Sequence, residues 1–400
     1  MDYKRDALAI QKSPAIGGEA GTQRGLGPPD LGMKQRSFAP YTAAAWRAQC
    51  PANSLPTESP TPMNETPASS SAVRDMIAHQ LGHVLRSEMP AASHLDIVEL
   101  HRTSTGLSRE NWVFEARWRE QGEACTRRMI LRRDPPASLL LTDRRWEFQV
   151  LRALENTPVP APAARWVDNG DGAFGAPAMI MDLLPGACDW HVLAGARPLL
   201  ERVQLGQRFI ALLATIQKVD WRALGLGDSR PEEAYGAHAE LDFWAGELAR
   251  VQVEALPEMA LGLAWLRRHA PRPQAVVLVH GDFKPGNALL IDNNISAMLD
   301  WETAHLGDPL EDLGWITNPP RAREQQIPGS WERAEIVAAY TAATGFFVDP
   351  RALNWWNVFS CWKLSVIVLT GVEAFVAGKM DRIYHNPVWL FQQMLTMMKD

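Results

Sequence analysis

The sequence predicts an α+β chain of two lobes, a small antiparallel sheet followed by a larger and mainly helical lobe. Three observations predict it. Between residues 95 and 185, apolar runs of strand length follow one another with a single helical interruption, an order that builds an antiparallel sheet rather than alternating βαβ units. Beyond Gly186, apolar residues recur mostly at helical spacing. Within that helical lobe a single β-like stretch, Ala275 to Trp301, carries an abrupt concentration of polar side chains at its strand ends.

Residues 1–72 are rich in Pro, Gly, Ser, Thr and Ala and lack a sustained period. Segments such as Gly17-Gly18-Glu19-Ala20-Gly21 cannot bury enough apolar surface to offset their ordering entropy, so a disordered tail is expected, with Met63 as an alternative start. The first lobe is then 73–185 and the second 186–400. A helix-like run opens the first lobe at Val73 to Leu81. Strands follow at Asp96 to Arg102, Trp112 to Trp118 and Arg127 to Arg132, the last two separated by the turn residues Gln121-Gly122. Thr142 to Leu154 reads as a helix, with Trp146, Val150, Leu151 and Leu154 at helical spacing, and Pro158 and Pro160 end it. Short apolar strands at Ala163 to Val167 and Ala178 to Asp182 complete the lobe.

In the second lobe helices are expected over 201–218, 237–255, 258–269, 331–344 and 351–378. The apolar stretch Phe359 to Gly378 contains Lys363, Glu373 and two glycines, which predicts a buried helix rather than a membrane span. Trp355, Phe359 and Trp362 share one face of it and read as core, with the lining of an apolar substrate pocket as the alternative.

Net charge is −6 and no Lys/Arg-rich stripe exists, so the chain lacks the electrostatic footprint of a nucleic-acid binder. Only eight residues are Lys, and none lies between Lys34 and Lys218. Cys50, Cys125, Cys188 and Cys361 are widely spaced, fitting neither a CxxC metal site nor a disulfide framework; reduced thiols in a cytoplasmic protein are expected.

The chemistry concentrates in VVLVHGDFKPGNALLIDNNISAMLDWE, Val276 to Glu302. An apolar strand runs into His280-Gly281-Asp282, and Asn287 follows. Two β-like runs, Ala288 to Ile291 and Ile295 to Leu299, flank the turn residues Asp292-Asn293-Asn294. Pairing them brings Asn287 opposite Leu299 and Asp300 and folds Asp300 back beside the His280–Asp282 loop. Two carboxylates and an amide oxygen therefore converge, a set suited to a hard cation such as Mg2+ that keeps room for phosphates. Phosphoryl transfer needs positioning, a metal ion and an acceptor for the hydroxyl proton. Asp282 suits the last role, Asn287 and Asp300 the metal, and Lys284 can neutralise charge on the moving phosphoryl group.

HGDFKPGN followed by LDWE resembles the signature of the aminoglycoside phosphotransferase / choline kinase-like superfamily. Within it the chain most resembles the phosphotransferase family related to the kinase-like domain of acyl-CoA dehydrogenase family members 10 and 11. MILRRDPP (129–136), EFQVLRALENTPVPAP (147–162), GAPAMIMDLLPG (175–186), LATIQKVDWRALGL (213–226) and GDPLEDLGW (307–315) extend the similarity over about residues 95 to 395. The resemblance implies a bilobal protein-kinase-like fold and an ATP-dependent kinase acting on a small hydroxylated substrate. It implies Asp282 as catalytic base, with His280 organising its loop, and Asn287 and Asp300 as Mg2+ ligands. Glu147 would tether a phosphate-contacting cation, and the backbone of Met181, Asp182 and Leu183 would bind adenine. Asp308 and Asp312 would orient the helix that follows them.

Kinases of this kind hold the nucleotide phosphates with a strand lysine. With no lysine in the first lobe, that cation must be an arginine. Alternation sends Arg132 and Arg133 to opposite faces, and position in the resemblance makes Arg132 the inward one with Glu147 as its partner. The loop expected to cover the phosphates, Ser104 to Asn111 with Ser108 as a contact, holds one glycine, fewer than relatives show. Gln217 stands where many relatives have His. A P-loop GxxxxGK[ST] is absent, which excludes a Walker-type kinase. Two further readings stay open: a catalytically silent module binding a nucleotide or acyl-CoA, and a protein kinase, although DWE stands where DFG would.

Overall fold

The computed structural model describes residues 67–103, 110–134, 143–227, 231–378 and 387–399. The expected tail therefore lies largely outside the described residues, as do Cys50, Met63 and Ser108. The first helix, α1 (Pro67–Glu88), starts at Pro67 rather than at Val73. Proline is tolerated in a first helical turn, where its missing N–H would have no partner, so the Pro/Ser-rich composition runs on into the helix.

Five strands follow with one helix among them: β1 (Ser93–Arg102), β2 (Glu110–Glu120), β3 (Glu123–Arg133), α2 (Arg144–Leu154), β4 (Ala164–Asn169) and β5 (Pro177–Asp182). They form one antiparallel sheet in the order β1-β2-β3-β5-β4. β2 and β3 join through Gln121-Gly122, both with positive φ (52° and 87°), the conformation that matches the twist of a tight hairpin.

Strand alternation then separates two cores. Trp112, Phe114 and Ala116 of β2, Met129 and Leu131 of β3, and Ala178 and Ile180 of β5 pack with Ile77, Leu81, Val84 and Leu85 of α1. Met179 and Met181 of β5 face the other way and join the core of the second lobe, against which Ile130 also packs. Arg132 is two residues beyond Ile130 and shares its face, whereas Arg133 shares the α1 face.

The second lobe comprises α3 (Leu199–Gln217), α4 (Ala237–Val251), α5 (Pro257–His269), β6 (Val277–Val279), β7 (Ala288–Ile291), β8 (Asn294–Met298), β9 (His305–Gly307), α6 (Leu310–Thr317), α7 (Ala322–Gln325), α8 (Arg333–Thr344), α9 (Pro350–Val376) and α10 (Val388–Met397). β9, unforeseen in the sequence, pairs antiparallel with β6.

Among the described residues α9 is the one helix long and apolar enough to cross a membrane, and most of its apolar stretch is buried. It packs against α4, α5, α6 and α10. Trp355, Phe359 and Trp362 are fully buried, Trp355 stacks on Phe359 with ring centroids 5.4 Å apart, and the indoles of Trp355 and Trp362 donate to the Leu266 and Met259 carbonyls. That face is core. Cys125, Cys188 and Cys361 are free thiols.

Candidate active site

β6 delivers the chain into His280-Gly281-Asp282, and the turn is held from three sides. The Asp312 carboxylate on α6 accepts the backbone N–H groups of His280 and Gly281 at 2.8 and 2.9 Å. Lys363 on α9 donates to the Gly281 carbonyl at 3.0 Å, and the Thr303 hydroxyl to that of His280 at 3.1 Å. Gly281 has φ 81°, and a Cβ there would stand 2.6 Å from the Thr303 carbonyl oxygen, so this position requires glycine. The His280 Nε2 donates to the Leu299 carbonyl at 2.9 Å while its Nδ1 accepts the Asp282 N–H at 3.3 Å, an arrangement that needs a neutral ring. Burial lowers its pKa in the same sense, against the pull of Asp312 and Asp282. His280 thus ties the His280–Asp282 loop to the end of β8.

The β7–β8 hairpin performs the expected convergence. Ala288 pairs with Met298, and the Leu299 N–H donates to the Asn287 carbonyl at 2.7 Å, which brings Asp300 next to Asn287. Asp300 itself adopts a left-handed conformation (φ 62°, ψ 55°), uncommon outside glycine but best tolerated by Asn and Asp. On the loop, the Asp282 carboxylate receives Lys284 Nζ at 2.5 Å and Asn287 Nδ2 at 2.9 Å. Burial pushes the Asp282 carboxyl up, but Lys284 and Arg321 outweigh it and hold it below the usual carboxylate range. Lys284 also lies 4.6 Å from the centre of the Trp190 ring.

From the first lobe, Arg132 reaches across to this loop. Its Nη2 stands 2.5 Å from Asp300 Oδ1 and its Nη1 3.5 Å from Glu147 Oε1 on α2. Burial raises the Asp300 carboxyl, and the Arg132 guanidinium more than reverses that. Arg133 points to the opposite face, paired with Glu110 at 3.0 Å and bonded to the Phe174 carbonyl. Sequence reasoning missed Arg144, which is fully buried and contacts both Glu147 and Asp134.

Two expectations need correction. Asp308 orients α6, since its Oδ1 accepts the Leu310 N–H at 2.8 Å, but Asp312 on that helix turns back to the His280–Asp282 loop. The β5 segment also differs. Met181 lies within the sheet between Ile130 and Ala164, the Asp182 N–H donates to the Ala163 carbonyl at 2.9 Å, and the Leu183 N–H donates to that of Arg128 at 3.0 Å. The amide donors of Asp182 and Leu183 are therefore engaged, and the Asp182 carboxylate is held by Arg165. Gln217 has a structural role: its Nε2 donates to the Pro309 carbonyl at 2.9 Å and its Oε1 accepts the Tyr340 hydroxyl at 2.7 Å.

A strand-borne cation, a helix glutamate and an Asp–Asn–Asp set on a loop and hairpin are thus brought together. The family model for the phosphotransferase enzyme family matches residues 107–356, which include every one of these side chains. The chain belongs to this family. The sequence is 29% identical to mouse acyl-CoA dehydrogenase family member 10 over 47% of this chain and 18% of that protein. It is 28% identical to rat acyl-CoA dehydrogenase family member 11 over 62% and 33%. The match thus spans at most about a third of these relatives' length. Among solved structures, a Ralstonia eutropha protein assigned to the aminoglycoside phosphotransferases superposes with TM-score 0.60 at 22% identity, over 80% of this chain and 95% of that one. A thermostable mutant of aminoglycoside phosphotransferase APH(4)-Ia, in ternary complex with AMP-PNP and hygromycin B, gives TM-score 0.52 at 15% identity over 80% and 98%. These phosphotransferases share the kinase-like fold of this chain, a five-stranded antiparallel sheet with a helical second lobe.

Proposed function

We propose that this phosphotransferase moves the γ-phosphoryl group of Mg-ATP to the hydroxyl of a small molecule, with Asp282 as the base. One observation carries the reading: the Asp282 carboxylate is kept ionised by Lys284 close to the paired Arg132 and Asp300. An ionised carboxylate at a loop tip can take the acceptor's proton as the oxygen attacks. Lys284 then screens charge on the group in flight, and Arg132, aimed by Glu147, holds the nucleotide phosphates.

The donor set fits Mg2+. Asn287 commits its Nδ2 to Asp282, which leaves its amide oxygen for a cation, and Asp300 adds a carboxylate. Two hard oxygens with the remaining positions left to phosphate and water is how Mg2+ is usually held. The ion, when bound, would neutralise charge shared by the β- and γ-phosphates.

A second reading, a silent nucleotide-binding module, is favoured by the engaged Asp182 and Leu183 amides and by the Arg132 contact on Asp300. One experiment separates the two: ATP consumption over a panel of hydroxylated metabolites, hydroxyacyl-CoAs and antibiotics, with Asp282→Asn as control. Acceptor-dependent ADP release that vanishes in the variant supports the kinase. Mg-ATP binding without turnover on any acceptor supports the silent module.

A further inference from the structure

We infer that Arg144 is a positioning residue for nucleotide binding: with Asp134 it locks the start of α2, so that Glu147 keeps Arg132 aimed at the phosphates. This rests on the function proposed above.

The geometry is a chain of alternating charge, Asp134–Arg144–Glu147–Arg132–Asp300. Asp134 follows the end of β3 and is itself pinned, its N–H donating to the Pro177 carbonyl at 2.8 Å where β5 begins. Arg144 is the first residue of α2, and its guanidinium engages both Asp134 oxygens, through Nη2 to Oδ1 and through Nε to Oδ2 at 3.3 Å. Its Nη1 then bonds Glu147 Oε2, so the Glu147 carboxylate is shared between two arginines, Arg144 on one oxygen and Arg132 on the other. Asp143 caps the helix by accepting the Arg145 and Trp146 N–H groups, which starts α2 at this point.

Two ion pairs of opposite polarity therefore join β3 to α2. In one the strand supplies the cation (Arg132 to Glu147), and in the other it supplies the anion (Asp134 to Arg144). A rotation of α2 by one residue, about 100° for an α-helix, would break both together, whereas a single pair could follow a small rotation. The Arg132–Glu147 contact alone is loose, at 3.5 Å. The fixed end of the system is the Arg144 fork, and Glu147 is rigid because Arg144 holds it. Burial and the Glu147 carboxylate push the Asp134 carboxyl up, to about 7, against the pull of Arg132.

The test uses the full chain at pH 8, where Asp134 is charged. Removing Arg144 alone would take one cation from a buried cluster that holds the Asp134 and Glu147 carboxylates and endanger folding. The double variant Asp134→Leu with Arg144→Met removes one anion and one cation and leaves Arg132 and Glu147 balanced. It should melt close to wild type and keep kcat and the acceptor KM, while the Kd for Mg-ATP, by calorimetry, rises about tenfold, the scale on which outer-shell partners act. Arg144→Lys, which keeps the charge but loses the fork, should fall between. A folded double variant that binds Mg-ATP like wild type overturns the inference. So does a parallel loss of acceptor affinity and nucleotide affinity, which would mean general loosening of the cleft. If wild type binds no Mg-ATP, the proposed function fails, and Arg144 fails with it.

Discussion

The carboxylate of Asp312 receives the backbone N–H groups of both His280 and Gly281, so a side chain on α6 sets the conformation of the loop that bears Asp282. Burial raises the Asp312 carboxyl, while these amide donors oppose the rise. Asp312→Asn would turn an NH2 group toward an N–H donor on at least one side. Leaving a buried donor unsatisfied costs about 1–3 kcal/mol. The variant should therefore melt several degrees lower and turn over more slowly at saturating substrates. Wild-type melting and wild-type kcat would show that the loop holds its shape without this carboxylate.

Arg132 and Arg133 are adjacent in sequence and opposite in role. Arg132→Ala removes the cation between Glu147 and Asp300 and should raise the KM for ATP strongly, whereas Arg133→Ala breaks a pair with Glu110 on the far face and should change KM little. Arg132→Lys should restore binding only incompletely, because an ammonium cannot fork between two carboxylates as a guanidinium does. Steady-state kinetics at fixed acceptor checks the ranking. The reverse order would mean that the nucleotide lies on the other face of β3.

Asp282 and Asp300 should separate by readout. Asp282→Ala should leave Mg-ATP affinity largely intact and cut kcat by about 10²–10⁴-fold, the usual loss on removing a general base. Asp300→Ala should weaken Mg-ATP binding as well, and should free Arg132 from its 2.5 Å partner. Calorimetry alongside turnover measures both. If each variant binds and turns over like wild type, the site lies elsewhere.

The features of this site that could be read from sequence are those whose partners are close along the chain or follow from strand period. His280, Asp282, Asn287 and Asp300 lie in one stretch, and a two-strand hairpin with a short turn leaves little freedom in how they meet. Arg132 and Arg133 could be told apart because side chains in a strand alternate and position in the resemblance marked Arg132 as the inward one. The bonds of Asp312 to the His280–Gly281 backbone and the fork of Arg144 could not be read, since only packing brings these side chains to their partners. β9 is three residues long, too short to carry a period, and only its pairing with β6 makes it a strand. The engaged amides of Asp182 and Leu183 depend on which carbonyls lie opposite, which composition does not encode.

The last prediction concerns pH. His305 on β9 pairs with Val279, just before the loop that carries Asp282, with its Nε2 3.0 Å from Glu311 on α6 and 3.5 Å from Glu240 on α4. Its Nδ1 faces the Thr303 carbonyl at 2.9 Å, so both ring nitrogens look at acceptors, as an imidazolium requires. Lys363 on α9, 3.4 Å from the other Glu311 oxygen, completes the group. Two acids and two bases sum to zero charge only when His305 is protonated. Burial and Lys363 lower its pKa, yet Glu240 and Glu311 together lift it from 6.5 to about 9. The sign follows from linkage: a group whose folded pKa is raised stabilises the fold fully below its unfolded pKa, and loses that contribution as pH rises through the folded one. The stabilisation should therefore be intact below about 6.5 and fade up to about 9, with an upper size of about 3 kcal/mol. Lys363 also bonds the Gly281 carbonyl, so loss of the His305 proton redistributes charge directly under the loop that carries Asp282. Thermal denaturation should show wild type losing several degrees between pH 7 and pH 9.5. His305→Gln should melt lower at pH 7 and decline less over the same range. Parallel declines in the two proteins would mean that another group carries the alkaline transition.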